Sequence, residues 1–410
     1  MKRFVRGPSS ENEWHGPRPS ERSPEVLLER FGCDGLELPE VHASIVESWQ
    51  EDFVASMLDV RMLFSCVVDA DYIETEAHRE AVDTSTKRYR PQGPLLDSHR
   101  ALASVLGYIE EVRARTHADP AILELRQDLL QACLQAAESP RGLFTLTAPT
   151  GAGKTLAMLA FALKHAATHG LRRIICVIPY LTIIEQTVEV YRKALGKACQ
   201  HVQPMSYVLE DHSLAGIRSR ARRTSTEATT ADADQAEDAS RLLAENWDAP
   251  VIVTTSVQFL ESLFANRPGA CRKLHRIAES VILFDEVQTL PTRLVEPTLA
   301  ALSRLAHRYG CSVVLATATQ PAFDHLHEHV RKYFRAGWQP TEIVPPSLRL
   351  FDRARRVEVK WPVDETKSLT WEALAERLLE HDQALCIVNL KRHAADLFDR
   401  LFSSQPDAQV

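Results

Sequence analysis

No two of the eight cysteines (Cys33, Cys66, Cys133, Cys176, Cys199, Cys271, Cys311 and Cys386) stand at a C-x-x-C or other zinc-type spacing. Their scatter fits a reducing compartment. The chain also lacks any apolar run near the roughly 18 residues that cross a bilayer. Its start, "MKRFVRGPSS", turns polar where a signal peptide needs its apolar region. The expectation is a cytoplasmic protein with no membrane partner. A basic excess is missing too: the formal net charge is −7, so bulk electrostatics do not draw the protein onto nucleic acid, although a local basic groove can sit inside an acidic average. What remains is an ordinary globular composition, 45% hydrophobic and 25% charged over 410 residues, long enough for two or more domains with cores.

The chain changes character along its length. Leu38 to His78 reads as helical, with Ile45, Val46, Trp49, Phe53, Met57 and Leu58 at helical spacing. "TSTKRYRPQGP" (84–94) has the turn formers and charge of a linker. From Leu143 on, short apolar runs "LFTLTA", "IICVIPY", "VIVTTS", "VILFDE" and "SVVLATAT" alternate with helix-length stretches. That rhythm predicts a mostly parallel sheet covered on both faces. The insert at 217–240 begins with four arginines, then becomes Thr-, Ala- and Asp-rich without periodicity, and is expected to be a surface loop. "ALCIVNL" (384–390) with "RHAADLFDRLF" reads as the first strand and helix of a further α/β domain.

"TAPTGAGKT" (147–155) follows a strand and opens an apolar helix. It fits the phosphate-loop pattern G-x-x-x-x-G-K-[ST], with Ala148 in the first glycine position. Ala148, Pro149, Thr150, Gly151, Ala152 and Gly153 would wrap phosphate oxygens with main-chain N–H groups at a helix N-terminus. Lys154 would reach the β- and γ-phosphates and Thr155 would ligate Mg²⁺. In such enzymes a carboxylate ends a neighbouring parallel strand and faces the nucleotide. "VILFDEVQTLP" (281–291) supplies it: Asp285 would hold Mg²⁺ and Glu286 would orient the attacking water. In "LATATQP", Thr317 and Thr319 end a further strand, where their hydroxyls could couple nucleotide and groove.

This order of motifs resembles the first motor domain of superfamily-two helicases. More narrowly, "APTGAGKT", "VIPYLTIIEQT", "ENWDAPVIVTTSVQFLESLFANRPGACRKLHRIAESVILFDEVQTLP" and "LATATQP" resemble the CRISPR-associated nuclease-helicases of type I interference systems, from about Leu123 to Leu390. The resemblance implies an ATP- and Mg²⁺-dependent motor that moves on single-stranded DNA displaced in an R-loop, recruited by a CRISPR RNA-guided surveillance complex. It places Pro179, Tyr180, Gln186, Thr254, Thr255 and Gln258 against the strand, the other reading being strand-end caps and turns. Arg126 and Gln127 fall where relatives recognise adenine; an exposed helix pair is the alternative. The family carries D-E-V-H or a close variant where this chain has Gln288 last, which touches only the coupling contact.

The resemblance also implies an N-terminal HD nuclease domain holding divalent transition metal. "MLFSCVVDADYIETEAH" (62–78) looks like its end, with Asp71 at the last metal-binding aspartate; Asp69 and Asp71, two apart on a helix, cannot share a face. The other ligands have no counterpart, since His15 and His42 are lone and His381-Asp382 lies in another domain. One aspartate cannot build a metal site, so nuclease activity is not expected of this chain. No arginine-rich motif follows "IVNLKRHAAD", and arginine fingers are worth about 10³ to 10⁵ in rate, so slow hydrolysis is expected. The resulting fold class is α/β: residues 1–90 an all-α remnant of an HD domain, 91–350 a RecA-like phosphate-loop motor domain with a parallel sheet, and 351–410 the start of a second one. The chain reads as part of a longer protein. Two other functions stay open: an inert remnant or docking module, and an unrelated superfamily-two RNA helicase.

Overall fold

The structure is a computed structural model that describes residues 32–33, 53–79, 88–199, 204–212, 240–264, 267–318, 323–358 and 369–404. The predicted helix over 38–52, most of the insert at 217–240, His15, His42 and Thr319 lie outside these residues. The described chain divides into two compact units, one up to Ala354 and one from Arg355.

The first unit is built on seven parallel strands: β1 (Leu143–Thr147), β2 (Arg173–Ile178), β3 (Val208–Asp211), β4 (Val251–Thr255), β5 (Ser280–Phe284), β6 (Ser312–Thr317) and β7 (Thr341–Glu342). Their spatial order is β3-β4-β2-β5-β6-β1-β7, and every pairing is parallel. Strands β4, β5 and β6 are buried at every position. That is why these runs are continuously apolar instead of alternating.

Alternate residues feed two cores. On one face Ile174, Cys176 and Ile178 of β2 meet helices α2 (Ser98–Arg115), α3 (Pro120–Ala136), α4 (Lys154–His169) and α5 (Leu181–Ala194). On the other, Ile175 and Val177 join Phe259 of α6 (Ser256–Phe264) and Leu299 and Leu302 of α7 (Thr292–Arg308). The long helix α1 (Phe53–Arg79) belongs to this second layer through Val54, Leu58 and Met62.

Buried polar bonds fix α1 there. Asp59 accepts from Arg304 of α7 at 2.7 Å and from the Tyr309 hydroxyl at 2.5 Å. Ser65 donates to the Cys271 carbonyl at 2.5 Å and accepts the His275 N–H at 3.0 Å. Asp69 accepts from Arg272 at 2.8 Å and from Asn246 at 3.0 Å. The stretch read as a linker is held as well: Gly93 donates to Asp248 at 2.9 Å, and a Cβ on Gly93 would sit 1.7 Å from the Asp248 carbonyl oxygen. Arg90 ion-pairs with both Glu76 and Glu245.

The second unit contains α8 (Trp371–Leu379) and α9 (Lys391–Ser404). Trp371 lies against His393, with ring centres 5.2 Å apart, and Arg400 pairs with Glu372. Residues 384–390, expected as a strand, pair in no ladder among the described residues. Leu385 and Ile387 are 86% and 85% exposed, because a strand exists only where a neighbouring edge accepts its hydrogen bonds.

One buried histidine ties α4 to the sheet. His165 Nδ1 lies 2.8 Å from the Ala137 carbonyl and Nε2 lies 2.7 Å from Ser312 Oγ. A carbonyl only accepts, so Nδ1 carries the proton and Nε2 accepts from the serine. Burial pushes the imidazole down from 6.5 to about 4. The unfolded chain therefore takes up this proton first as pH falls, and stability is lost progressively between about pH 6.5 and pH 4, by roughly 3 kcal/mol in full. Urea midpoints at pH 7 and pH 5 should show the loss in the native chain and a shallower slope in His165→Gln.

Candidate active site

The loop between β1 and α4 takes its shape from two glycines, Gly151 at φ 86° and Gly153 at φ 82°. Both occupy the left-handed region where a side chain is strained. Ala148 has no such requirement: it is fully buried and its N–H donates to the Thr317 carbonyl at 3.2 Å. A glycine is therefore not needed at that position. Gly153 caps α4 without a side-chain hydrogen bond, which leaves the start of this 16-residue helix with the exposed N–H groups that an anion can accept.

Lys154, the first residue of α4, places Nζ 3.2 Å from Asp285 Oδ1 and 3.1 Å from Glu286 Oε1. The sequence reading put the carboxylates on a neighbouring strand. In the sheet, β6 lies between β1 and β5, and the lysine spans that strand's tip. Lys154 and Asp285 are only 12% and 14% exposed, so the attraction is less screened than on an open surface.

Glu286 itself has φ 52°, ψ 51°, a left-handed backbone that costs a non-glycine residue roughly 1 kcal/mol. The turn aims both carboxylates at Lys154 and starts the short 3₁₀ turn Val287–Thr289. Gln288 thereby returns to Glu286, donating from Nε2 to Oε2 at 2.5 Å, while its Oε1 accepts the Thr317 hydroxyl at 2.8 Å. A carboxylate only accepts, which fixes the amide's orientation. A continuous path thus joins Lys154, Glu286, Gln288 and Thr317. Burial pushes the Glu286 carboxyl up, but the bonds from Gln288 and Lys154 and the lysine's charge outweigh it and hold the group below the usual carboxylate range.

Arg126 and Gln127 line a cavity of about 120 Å³ with Arg113, Gly153, Leu156 and Ala157, directly beside the loop. Arg126 Nε donates to the Gly151 carbonyl at 3.1 Å. Thr155 stands one residue into α4. Among the residues assigned to nucleic acid, Tyr180 is 54% exposed at the carboxyl end of β2, with Pro179 beside it and Gln186 exposed on α5. Gln258 is half-buried and its N–H is capped by the Thr255 hydroxyl at 3.0 Å. Thr254 departs from the expectation. It is fully buried, and its hydroxyl donates to the Asp211 carbonyl of β3 at 2.8 Å, so its side chain serves the sheet.

Asp71 is exposed on α1, and the inward member of its pair is Asp69. Among the described residues no group of three or more His, Cys, Asp or Glu is placed to hold a metal. No helix among them is long and apolar enough to cross a membrane. Sequence reasoning gave no role to Glu342, whose carboxylate accepts both the N–H and the hydroxyl of Thr147 at 3.0 Å.

A parallel sheet, a phosphate loop and an acidic pair converging at its carboxyl edge define a RecA-like motor domain. Residues 127–326 match the family model described as DEAD/DEAH box helicase, a class of ATP-using enzymes. The sequence resembles those of Cas3-like superfamily-two helicases. It is 30% identical over 263 residues to the CRISPR-associated nuclease/helicase Cas3 of Haloferax volcanii, covering 58% of this chain and 27% of that protein. The chain thus spans about a quarter of that relative's length. Among solved structures, T. fusca Cas3-ATP aligns at 17% identity with a TM-score of 0.49, over 77% of this chain and 37% of that one. The DUF1998 helicase MrfA bound to DNA aligns at 14% identity with a TM-score of 0.36, over 62% and 31%.

The two aspartates of α1 make opposite predictions. Asp69→Ala leaves Arg272 buried without its closest partner and should cost about 3 kcal/mol or more, read as a lower denaturant midpoint. Asp71→Ala should leave the midpoint where it is.

Proposed function

We propose that this chain is the ATP-binding part of a motor that translocates on single-stranded DNA within type I CRISPR interference, acting on R-loop DNA beside an RNA-guided surveillance complex. The observation that carries the reading is the convergence of Lys154 with Asp285 and Glu286 at the carboxyl edge of the sheet. The likeness to a nuclease/helicase Cas3 over 263 residues supports the choice of system.

On this reading Gly151, Ala152 and Gly153 wrap the phosphates, with Ala148, Pro149 and Thr150 completing the loop, and Arg126 and Gln127 face the adenine from the adjoining cavity. Thr155 and Asp285 would hold Mg²⁺, which neutralises charge on the phosphate oxygens. Lys154 exchanges its two carboxylates for phosphate oxygens, and the exchange frees Glu286, no longer held down by the lysine, to accept a proton from the attacking water. Gln288 and Thr317 carry the change at Glu286 to the tip of β6, two positions in sequence before the other coupling residue assigned, Thr319. Tyr180, Gln186, Pro179, Thr255 and Gln258 sit along the same edge, where a backbone-tracking groove uses hydroxyl, amide and aromatic contacts.

Residues 1–90 are assigned to the end of an HD domain, 91–350 to the first motor domain and 351–410 to the beginning of the second. Asp71 is the metal-ligand position assigned to the HD part, and its divalent transition metal requires further ligands, none of which stands in a metal-holding group with it among the described residues.

The test is ATP-analogue binding and ATP hydrolysis with and without single-stranded DNA. Lys154→Ala should weaken binding about tenfold or more. Glu286→Gln should bind normally and hydrolyse about 10²-fold more slowly. Equal behaviour of all three proteins would remove this site. Stimulation by RNA with indifference to DNA would transfer the chain to the RNA helicases.

A further inference from the structure

Strand β7 pairs with β1 only as far as Thr145 opposite Glu342. Ile343 then donates its N–H to the Thr145 carbonyl at 2.8 Å, and the chain leaves the sheet at Val344. β1 continues for two more residues, to Thr147. At that point a side chain takes over from the ladder. Glu342 Oε1 accepts the Thr147 N–H at 3.0 Å and the Val344 N–H at 3.1 Å, and Oε2 accepts the Thr147 hydroxyl at 3.0 Å. On the opposite edge the Ala148 N–H donates to the Thr317 carbonyl of β6 at 3.2 Å. Thr147 and Ala148 are the residues from which the phosphate loop springs. The loop's root is therefore gripped from both sides, by main chain on one and by a carboxylate on the other.

We infer that Glu342 is a positioning residue for the nucleotide site: it sets the direction in which the loop leaves β1, and so where Gly151, Gly153 and Lys154 meet the phosphates. This rests on the reading of that loop as the ATP site. The carboxylate's negative charge is of no help beside a triphosphate, so its value lies in three accepted hydrogen bonds. A glutamine keeps that geometry. Its carbonyl oxygen accepts both N–H groups, and its amide nitrogen donates to the Thr147 hydroxyl oxygen, which can turn to accept. An alanine keeps none of it.

The experiment measures binding of a non-hydrolysable ATP analogue with Mg²⁺ by calorimetry on the whole 410-residue chain, well below each variant's melting temperature. Glu342→Ala should weaken binding by about tenfold. Glu342→Gln should remain within about twofold to threefold of the native chain, and Thr147→Val, which keeps the main-chain bond, should fall between them. At saturating ATP the hydrolysis rate of Glu342→Ala should fall by less than its affinity does, so the larger change appears in KM.

Native affinity in Glu342→Ala overturns the inference. Loss as large in Glu342→Gln as in Glu342→Ala overturns it as well, because charge and not geometry would then matter. Should Glu342→Ala fail to fold, Thr147→Val decides, with native affinity counting against. Lys154→Ala in the same series keeps the two claims apart. A lysine variant that binds normally fails the site itself, whereas a normal lysine effect beside a silent Glu342→Ala fails only the positioning role.

Discussion

One ammonium group held between two carboxylates organises the functional edge of this protein. Lys154 begins the helix after β1, while Asp285 and Glu286 end β5, and the strand between them, β6, contributes Thr317 at its tip. Placing three charges in a half-buried position is unfavourable unless each is neutralised by a neighbour. The lysine answers one of the two negative charges, and the excess is offset by neutral donors, the Glu286 N–H to Asp285 and the Gln288 amide to Glu286; on the proposed function a triphosphate offers the lysine an alternative set of oxygens. On that same proposal, competition between carboxylates and phosphates for a single lysine lets nucleotide occupancy alter the bonds of Glu286, and Gln288, bonded to both Glu286 and Thr317, passes the change to β6.

Everything that fixes those groups lies in the sheet and its two layers. Continuous apolar strands set the carboxyl ends level, His165 joins the helix after the phosphate loop to Ser312 at the start of β6, and the left-handed Glu286 turns the acidic pair toward the lysine. The helix α1, which the resemblance assigned to a nuclease domain, is part of the same body. Its Asp59 is bonded to Arg304 of α7, the helix that follows the acidic turn. Its exposed side carries Asp71, so one helix has an inner face committed to the sheet's second layer and an outer face bearing the position that the resemblance assigns to a metal ligand.

Much of this was legible from the sequence, for physical reasons that also explain the gaps. β2, β4, β5 and β6 are buried runs rich in Val, Ile and Leu, β1 alternates buried Phe144 and Leu146 with half-buried neighbours, and the phosphate loop has its glycines where left-handed backbone is required. β3 and β7 are four and two residues long, too short to impose a pattern. The two residues they hide are those that changed the reading: Asp211 on β3 takes the hydroxyl of Thr254, and Glu342 on β7 holds Thr147, 195 positions away. Residues 384–390 show the converse. Their composition suits a strand, but pairing depends on an edge that composition does not supply. The relay through Gln288 was readable as a position and not as a geometry, since its amide reaches both partners only because Glu286 adopts positive φ.

On the proposed function, nucleotide binding makes Lys154 trade its carboxylate partners for a triphosphate. A crystal structure of this chain with Mg²⁺ and a non-hydrolysable ATP analogue tests it most directly. Lys154 Nζ should then lie on phosphate oxygens, with Asp285 turned to the metal and Glu286 released from the lysine. A nucleotide bound elsewhere, with Lys154 still bridging Asp285 and Glu286, would contradict it.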